Sequence, residues 1–410
     1  MSITLAVVAG PLAGQSFTYD QHSTFLVGRS QDAVFSLPND DYLSRVHFLV
    51  EFNPPMAQLT DLGSRNGTKV NGQKIRDSVL RDGDVIEVGT SKLRVTLSGL
   101  DATRSLPEQL AVTGEAPTIS QSSSAGLPST GRLSGNVPPM FRGYVVTDWL
   151  GGGGMGDVYR AVRESDGKEV ALKTIKPAVS PTGDMISRFI READILRRLS
   201  HPNIVGFEEL GEANGVLFFV MELVRGRDAS TCVKEAKKGG GQLPITEVKR
   251  IANGLLAGIA HAHRSGYIHR DIKPGNVLVA DDGMVKVADF GLARAYQDSP
   301  LSGLTLSGRS MGTPAFMPPE QVRDFRTVKP AGDQYSAGAT IYFLLTGEYP
   351  HGTAANHADL FRKLLTEPAP PVTRLRPDTP APMAAALARA MTINPEDRHA
   401  DVAAFARALG

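Results

Sequence analysis

The run "DWLGGGGMGDVYRAV", Asp148 to Val162, holds four consecutive glycines, then Met155 and a fifth glycine at Gly156. Backbone without Cβ atoms can lie close to a ligand and offer its N–H groups to phosphate oxygens, but glycine runs also serve as flexible joints. A Walker A loop needs Lys and then Ser or Thr directly after its last glycine. Gly151 to Gly156 has the spacing, yet Asp157 and Val158 come next, so the cation and the hydroxyl are missing. A dinucleotide fingerprint needs its glycines to open a helix. Gly151, Gly153 and Gly156 are spaced for one, but "DVYRAVRESDGKEVALKTI" reads as two β-branched strands joined by a turn at "SDGK". What remains is a hairpin whose glycines cover phosphates, and only one register, Gly151, Gly153, Gly156 and Val158, satisfies G-x-G-x-x-G-x-V.

A lone match of that kind carries little weight unless other groups of the same chemistry lie downstream. "VALK" puts Lys173 in the next strand, and "FIREADIL" offers Glu192 on a helix after it, spaced to pair with Lys173. "YIHRDIKPGNVLV" supplies Asp271, Lys273 and Asn276, and "VADFGLA" supplies Asp289. Alone, Lys173 or Glu192 is a solvated surface charge, His269 a packed core histidine and Asp289 a turn residue. Together, over about 144 to 408, they resemble the eukaryotic-like (Hanks-type) bacterial serine/threonine protein kinase family, in its motif order and at its spacing.

That resemblance implies phosphoryl transfer from ATP to Ser or Thr hydroxyls of proteins, with Mg²⁺ (or Mn²⁺) as the metal. The transition state spreads negative charge and needs positioning more than covalent help. The resemblance implies Asn276 and Asp289 as metal ligands and Lys173 as the cation for the α- and β-phosphates. Asp271 is implied as the group that orients the substrate hydroxyl and accepts its proton. Lys273 is implied as the neutraliser of the γ-phosphate, a lysine in the serine/threonine rather than the tyrosine pattern. The nucleotide site it implies takes in Leu150, the loop Gly151, Gly152, Gly153, Gly154, Met155 and Gly156, then Val158 and Ala171, with Met221 as gatekeeper and Glu222 and Leu223 opening the hinge. Between Asp289 and Glu320 lies the activation segment, where Thr305 and Ser307 are candidates for phosphorylation and Thr313 for a substrate-positioning hydroxyl. Arg270, before Asp271, goes in this family with control by loop phosphorylation. One departure is visible: Ala-Pro-Glu appears as Pro318-Pro319-Glu320, with Glu320 and its expected partner Arg398 both kept.

Further upstream, "FLVGRS", "LSRVHFLV" and "DLGSRNGTKVNG" resemble, over roughly 5 to 97, the forkhead-associated (FHA) domain, a β-sandwich that binds phosphothreonine on its loops. The resemblance implies Arg29 as a charge-assisted donor to phosphate, Ser44 as an added hydroxyl, Arg45 as a second charge and Asn66 as a holder of the peptide backbone. Ser64 and Arg65 sit beside Asn66 on the same loop. Gly28 and Gly67 read as turn residues, His47 as a brace for the Ser44 loop, and Asn71-Gly72 as a hairpin turn.

The elements that must position these residues fall into three segments: an FHA sandwich over 1–98, a linker over 99–142 and a kinase domain over 143–410. Residues 1 to about 98 carry short runs such as "SITLAVVA", "HFLVEF" and "KLRVTL" between Gly, Asn, Asp and Pro clusters, the pattern of an antiparallel β-sandwich. From about 100 to 140, "TGEAPTISQSSSAGLPSTGRLSGNVPPM" is too poor in apolar residues to offset its ordering entropy and reads as a disordered linker. The glycine run therefore is not the joint. Strand runs dominate from 144, and helical periods take over after about 245, as in "ITEVKRIANGLLAGIAHAHRSG", "GDQYSAGATIYFLLTG" and "APMAAALARAMTI". A small β-rich part followed by a larger α-rich part predicts an α+β fold of two lobes.

Composition fits this reading. Lys+Arg 44 against Asp+Glu 43 in 410 residues leaves a net charge of +1, which offers no footprint for nucleic acid or anionic lipid. Cys232 is the single cysteine, so no intrachain disulfide forms. No window approaches the ~20 apolar residues of a bilayer span, and the chain is expected to be cytoplasmic. The overall expectation is a serine/threonine kinase whose FHA module docks phosphothreonine, on partners or on its own segments, with linker Thr103, Thr113, Thr118 and Thr130 as candidates. The alternative is a phosphopeptide-binding scaffold with a catalytically silent kinase fold.

Overall fold

The computed structural model describes residues 2–19, 23–30, 33, 35–53, 56–98, 141–153, 156–174, 199–213, 216–290, 314–323, 328–352, 354 and 357–410. Linker residues 99–140, Glu192, Gly154, Met155, Thr305, Ser307 and Thr313 lie outside them, whereas Phe141, at the end of the expected linker, packs against Phe218.

The N-terminal unit is a two-sheet sandwich of eleven strands: β1 Ser2–Ala9, β2 Ser16–Tyr19, β3 Ser23–Gly28, β4 Phe35–Ser36, β5 Phe48–Asn53, β6 Met56–Asp61, β7 Thr68–Val70, β8 Gln73–Ile75, β9 Asp77–Leu80, β10 Val85–Val88 and β11 Ser91–Ser98. One sheet runs β2-β1-β11-β10-β7-β8 and the other β4-β3-β5-β6-β9. Strand alternation builds the core: Ile3, Leu5 and Val7 of β1 meet Phe25 and Val27 of β3 and Phe48, Val50 and Phe52 of β5. The expected antiparallel pairing has one exception. β3 and β4 pair in parallel over two positions, Val27 with Phe35 and Gly28 with Ser36.

The second unit starts with a five-stranded antiparallel sheet, β12 Tyr144–Gly153, β13 Gly156–Arg163, β14 Glu169–Thr174, β15 Phe207–Ala213 and β16 Val216–Glu222, in the order β12-β13-β14-β16-β15. β13 and β14 are joined at the turn expected from "SDGK", with Gly167 at φ 71°. A small sheet, β17 Gly226–Asp228, β18 Val277–Ala280 and β19 Val285–Val287, lies among helices α1 Ala229–Lys238, α2 Ile245–Arg264, α3 Pro319–Arg323, α4 Pro330–Thr346, α5 His357–Thr366, α6 Ala381–Ala390 and α7 Val402–Leu409. α4 is apolar nearly all round and buried along almost its whole length, so it forms the centre of this lobe. Its end is set by Gly347 in the left-handed region at φ 71°, whose N–H bonds back to Phe343 O.

Among the described residues, no helix is long and apolar enough to cross a membrane.

Candidate functional site

The glycine run is the hairpin between β12 and β13, with Gly151 opposite Val158, Gly152 opposite Asp157 and Gly153 opposite Gly156. Its tightest point is Gly156. A Cβ there would lie 1.7 Å from Thr174 O, and its φ of 150° is one that side chains disfavour. The Thr174 hydroxyl fixes the same turn, accepting from Asp157 N at 3.0 Å. Among the described residues, nothing lies within 4 Å of a Cβ placed on Gly151. Gly152 faces the Asp157 side chain, the flexible end of which can move aside.

Adjacent strands set the rest of this cleft. Val158 pairs with Lys173, and Ala171 with Met221, so loop, cation and gatekeeper positions lie on neighbouring strands of one sheet. Lys173 Nζ donates to Asp289 Oδ2 at 2.7 Å, joining residues 116 positions apart. Burial pushes the Asp289 carboxyl up, but the charge and hydrogen bond of Lys173, aided by His269 and Lys273, bring it below the ordinary carboxylate range. Asp289 also sits at φ 63°, a left-handed conformation uncommon outside glycine. Behind Met221, a cavity of about 20 Å³ among Leu199, Phe207 and Phe290 has room for little more than one water.

At Glu222 the expectation narrows. Its N–H donates to Gly206 O at 2.8 Å, and its carboxylate accepts from Lys286 Nζ at 3.0 Å and Gly206 N at 3.1 Å. The Glu222 amide and side chain are thus committed to the protein. Only its carbonyl and the backbone from Leu223 onward are left for a ligand at the hinge.

The second cluster is the segment from His269 to Asn276. Lys273 Nζ donates to Asp271 Oδ2 at 2.8 Å, and Asn276 Nδ2 donates to Asp271 O at 2.8 Å and to its Oδ2 at 3.1 Å. Asp271, Lys273 and Asn276 therefore form one hydrogen-bonded group. His269 braces it: Nδ1 accepts from Asp271 N at 3.2 Å, and Nε2–H donates to Ala288 O at 2.8 Å, next to Asp289.

What holds this segment was not read from the sequence. Asp333, buried on α4, accepts from His269 N at 2.7 Å, Arg270 N at 2.8 Å and His263 Nε2–H at 2.7 Å. Burial alone would raise its carboxyl, but the hydrogen bond from His263 and the nearby imidazoles hold it below the ordinary range. Arg270 adopts φ 65°, and its N–H and C=O are pinned by Asp333 and by Gln321 Nε2 at 3.0 Å. A strained backbone persists when its surroundings over-determine it. The signal in the sequence was a lone carboxylate, in "GDQYS", within a helix that carries no other charge.

Glu320 and Arg398 meet as expected. The guanidinium donates two parallel bonds, Nη1 at 2.7 Å and Nη2 at 2.8 Å, and its side chain is fully buried. The Pro318-Pro319 departure leaves α3 formed and this pair intact.

Could the residues present hold a divalent metal? Among the described residues, no group of three His, Cys, Asp or Glu is placed to do so. Asp289 and Asn276 give two oxygen ligands, a set that suits Mg²⁺ only when substrate phosphates and waters complete the shell. The chain therefore fits a metal that arrives with a phosphorylated ligand.

On the sandwich, three loops are tied together at one end. Arg29 N donates to Ser44 O at 2.9 Å, Ser30 N to Arg45 O at 3.0 Å, and Arg65 N to Ser44 Oγ at 3.0 Å. His47 is the buried brace that was expected: Nδ1 accepts from Ser44 N at 3.1 Å and Nε2–H reaches Gly67 O at 3.3 Å. Burial lowers its pKa and keeps the ring neutral, the state this pattern requires. Arg29 Nη1 rests on the exposed Asp41 carboxylate at 3.2 Å, a surface pair that a doubly charged phosphate would outcompete. Asn66 Nδ2 donates to Tyr42 O at 2.6 Å, which ties its loop to the Ser44 loop. The Ser64 hydroxyl donates to Asp61 Oδ2 at 2.6 Å, and Gly63 N and Thr68 Oγ1 bond the same carboxylate. Ser64 thus closes its loop, and is not free to donate to a ligand.

Known proteins share both arrangements. The protein kinase domain family model matches residues 144–400, and the FHA domain model matches residues 25–89. Serine/threonine-protein kinase PknF of Mycobacterium tuberculosis is 35% identical over 274 residues, covering 66% of this chain and 56% of that protein. Serine/threonine-protein kinase pkn3 of Myxococcus xanthus is 38% identical over 275 residues, 64% of this chain and 48% of that protein. The match thus spans about half the length of these relatives. A crystal structure of the Mycobacterium tuberculosis PknI kinase domain superposes with a TM-score of 0.52 at 29% identity, covering 66% of this chain and 96% of that one.

Proposed function

This chain belongs to the protein kinase family and carries an FHA domain, and we accordingly propose that it transfers the γ-phosphate of ATP to serine and threonine hydroxyls of proteins. The observation that carries the reading is the pair of hydrogen-bonded groups Lys173–Asp289 and Asp271–Lys273–Asn276, linked through His269, which bonds Asp271 N and Ala288 O. A silent scaffold would be expected to have lost one of these groups. The boundaries that go with this reading are 1–98 for the phosphothreonine module, 99–142 for the tether and 143–410 for the kinase.

In this scheme the hairpin at Gly156 and Lys173 bind and orient the phosphates. Asp289 and Asn276 would hold Mg²⁺, which when bound would supply charge neutralisation at the phosphates. Asp271, held in place by Asn276 and Lys273, orients the acceptor hydroxyl and takes its proton. Lys273 carries positive charge to where negative charge spreads in the transition state. Leu150, Val158 and Ala171 enclose the base, which bonds to the hinge backbone after Met221. Glu192 pairs with Lys173 in the working state, and phosphorylation at Thr305 or Ser307 sets the activation segment. The supply of ATP and Mg²⁺ this scheme needs, and a buried Cys232 kept as a free thiol, fit action in the cytoplasm.

Incubating the full chain with Mg·ATP and a protein acceptor should give ADP together with phosphoserine or phosphothreonine, mapped by mass spectrometry. ADP formation independent of any protein acceptor, with no phosphorylated residue, would overturn the reading.

The FHA module docks phosphothreonine on protein partners or on this chain's own phosphorylated segments. Arg29→Ala removes a charge-assisted donor, worth about 1.5–3 kcal/mol, so affinity for a phosphothreonine peptide should fall about 10- to 150-fold. Titration calorimetry measures this directly. An unchanged affinity would place the phosphate elsewhere.

A further inference from the structure

In β3, Phe25 and Val27 point into the sandwich core, as do Phe48, Val50 and Phe52 of β5. By the two-residue period of a strand, Leu26 and Leu49 point out of the opposite face. A sheet with one face on its core normally turns polar residues outward on the other. Here both leucines are about 1% exposed, and neither belongs to the sandwich core. Together with Ala33 and Leu62 they join the apolar cluster of the helical lobe, which contains Val322 of α3 and Phe316. Strand β3 packs directly against α3. Glu51, on the same outer face of β5, is buried as well.

Two details give this contact a function. The partly buried Val46 adjoins Arg45 in the chain, Leu62 lies two residues before Ser64 and Ala33 four residues after Arg29. On the other side, α3 carries Gln321, whose amide pins Arg270 O beside Asp271. One contact therefore touches the loops assigned to phosphothreonine and the helix that steadies the catalytic segment.

We propose that the outer face of the β4-β3-β5-β6-β9 sheet is a docking surface for helix α3 of the kinase lobe in the same chain, and that through it the phosphothreonine loops adjoin the support of the catalytic loop. The tether argues for the same chain as the occupant. About 42 residues join the two units, so the lobe belongs to the same molecule as the sheet and is held at high local concentration beside it. The leucine pair, idle in an isolated FHA sandwich, is accounted for by this partner.

The test is small-angle scattering with light scattering on the full chain, beside a Leu26→Asp/Leu49→Asp variant. The wild type should scatter as one compact monomer. The variant should keep binding a phosphothreonine peptide while its radius of gyration rises by roughly a quarter, as released units drift apart on the tether. A wild type that already scatters as two separated bodies would overturn the proposal, and this arm needs no variant to fold. Equal radii for wild type and a peptide-binding variant would also overturn it. So would a concentration-dependent dimer that the variant abolishes, because a second copy would then cover the face. None of these readouts depends on phosphoryl transfer, so failure here is separate from failure of the kinase reading.

Discussion

Replacing Asp271 with Asn is expected to lower phosphoryl transfer by about 10²–10⁴-fold while leaving nucleotide binding intact. The asparagine has nearly the same shape. Its Oδ1 can still accept from Lys273 Nζ or Asn276 Nδ2, which now bond the carboxylate at 2.8 and 3.1 Å. What it cannot do is accept a proton from the acceptor hydroxyl or attract that hydrogen with a full charge. The loss should therefore appear in kcat, with KM for ATP little changed, since an interaction made mainly in the transition state is removed. A steady-state assay with a protein acceptor, alongside nucleotide titration of the same variant, separates the two. Activity within a few-fold of wild type would remove Asp271 from its assigned role. Asp333 reaches the catalytic segment through the backbone N–H groups of His269 and Arg270 and is itself held by His263 Nε2–H. Its loss would loosen geometry without removing a reacting group.

Glu320→Ala is expected to give the largest loss of stability. Arg398 has no exposed side-chain surface, and Glu320 supplies the countercharge that matches its two parallel donors. Three carbonyls, of Ala331, Thr392 and Ile393, share the remaining bonds, and the guanidinium lies 5.1 Å from the centre of the Tyr335 ring. Neutral carbonyls and a ring face cannot replace a carboxylate in a dry site. Breaking a buried pair from one side costs about 3–5 kcal/mol, because a desolvated charge is left uncompensated. For a domain of this size that corresponds to a fall in Tm of roughly 6–20 °C. Calorimetry should find it in the transition of the helical lobe, leaving that of the sandwich in place. Removing the charge as well, in Glu320→Ala/Arg398→Met, should recover part of the loss. A single variant whose Tm stays within about 2 °C of wild type, well short of that fall, would show that the pair is solvated in solution.

Much of the site was legible because the chemistry was written in short ordered words. The glycine hairpin was recognisable by excluding two rival loops on the residues after Gly156, and the close approach to Thr174 O shows why glycine is needed there. Strands β12 to β14 and helices α2, α4 and α6 are visible in β-branched runs and helical periods. Strand β15, "FEELGEA", was missed because it is an edge strand whose carboxylates find partners out of register with any sequence pattern. Glu208 meets Arg163 and Lys168, and Glu209 takes the Tyr144 hydroxyl at 2.5 Å. The runs "FLVGR" and "HFLVEF" read as ordinary sandwich strands with one face in the core. Their consecutive apolar residues are the mark of burial on both faces, as Leu26 and Leu49 prove.

Read alone, the order of amino acids points to the two families, to their succession along the chain and to Lys173, Asp271, Lys273, Asn276 and Asp289 as candidates, because those groups must occur in fixed types at fixed intervals along the chain. It took the fold to show that Asp333 steadies the catalytic loop, that Ser64 serves its own loop through Asp61, and that the sandwich turns an apolar face to α3. One cause underlies all three. Each depends on which residues, distant in the chain, are desolvated together, and a buried carboxylate or leucine has the same letter as an exposed one until its partner arrives.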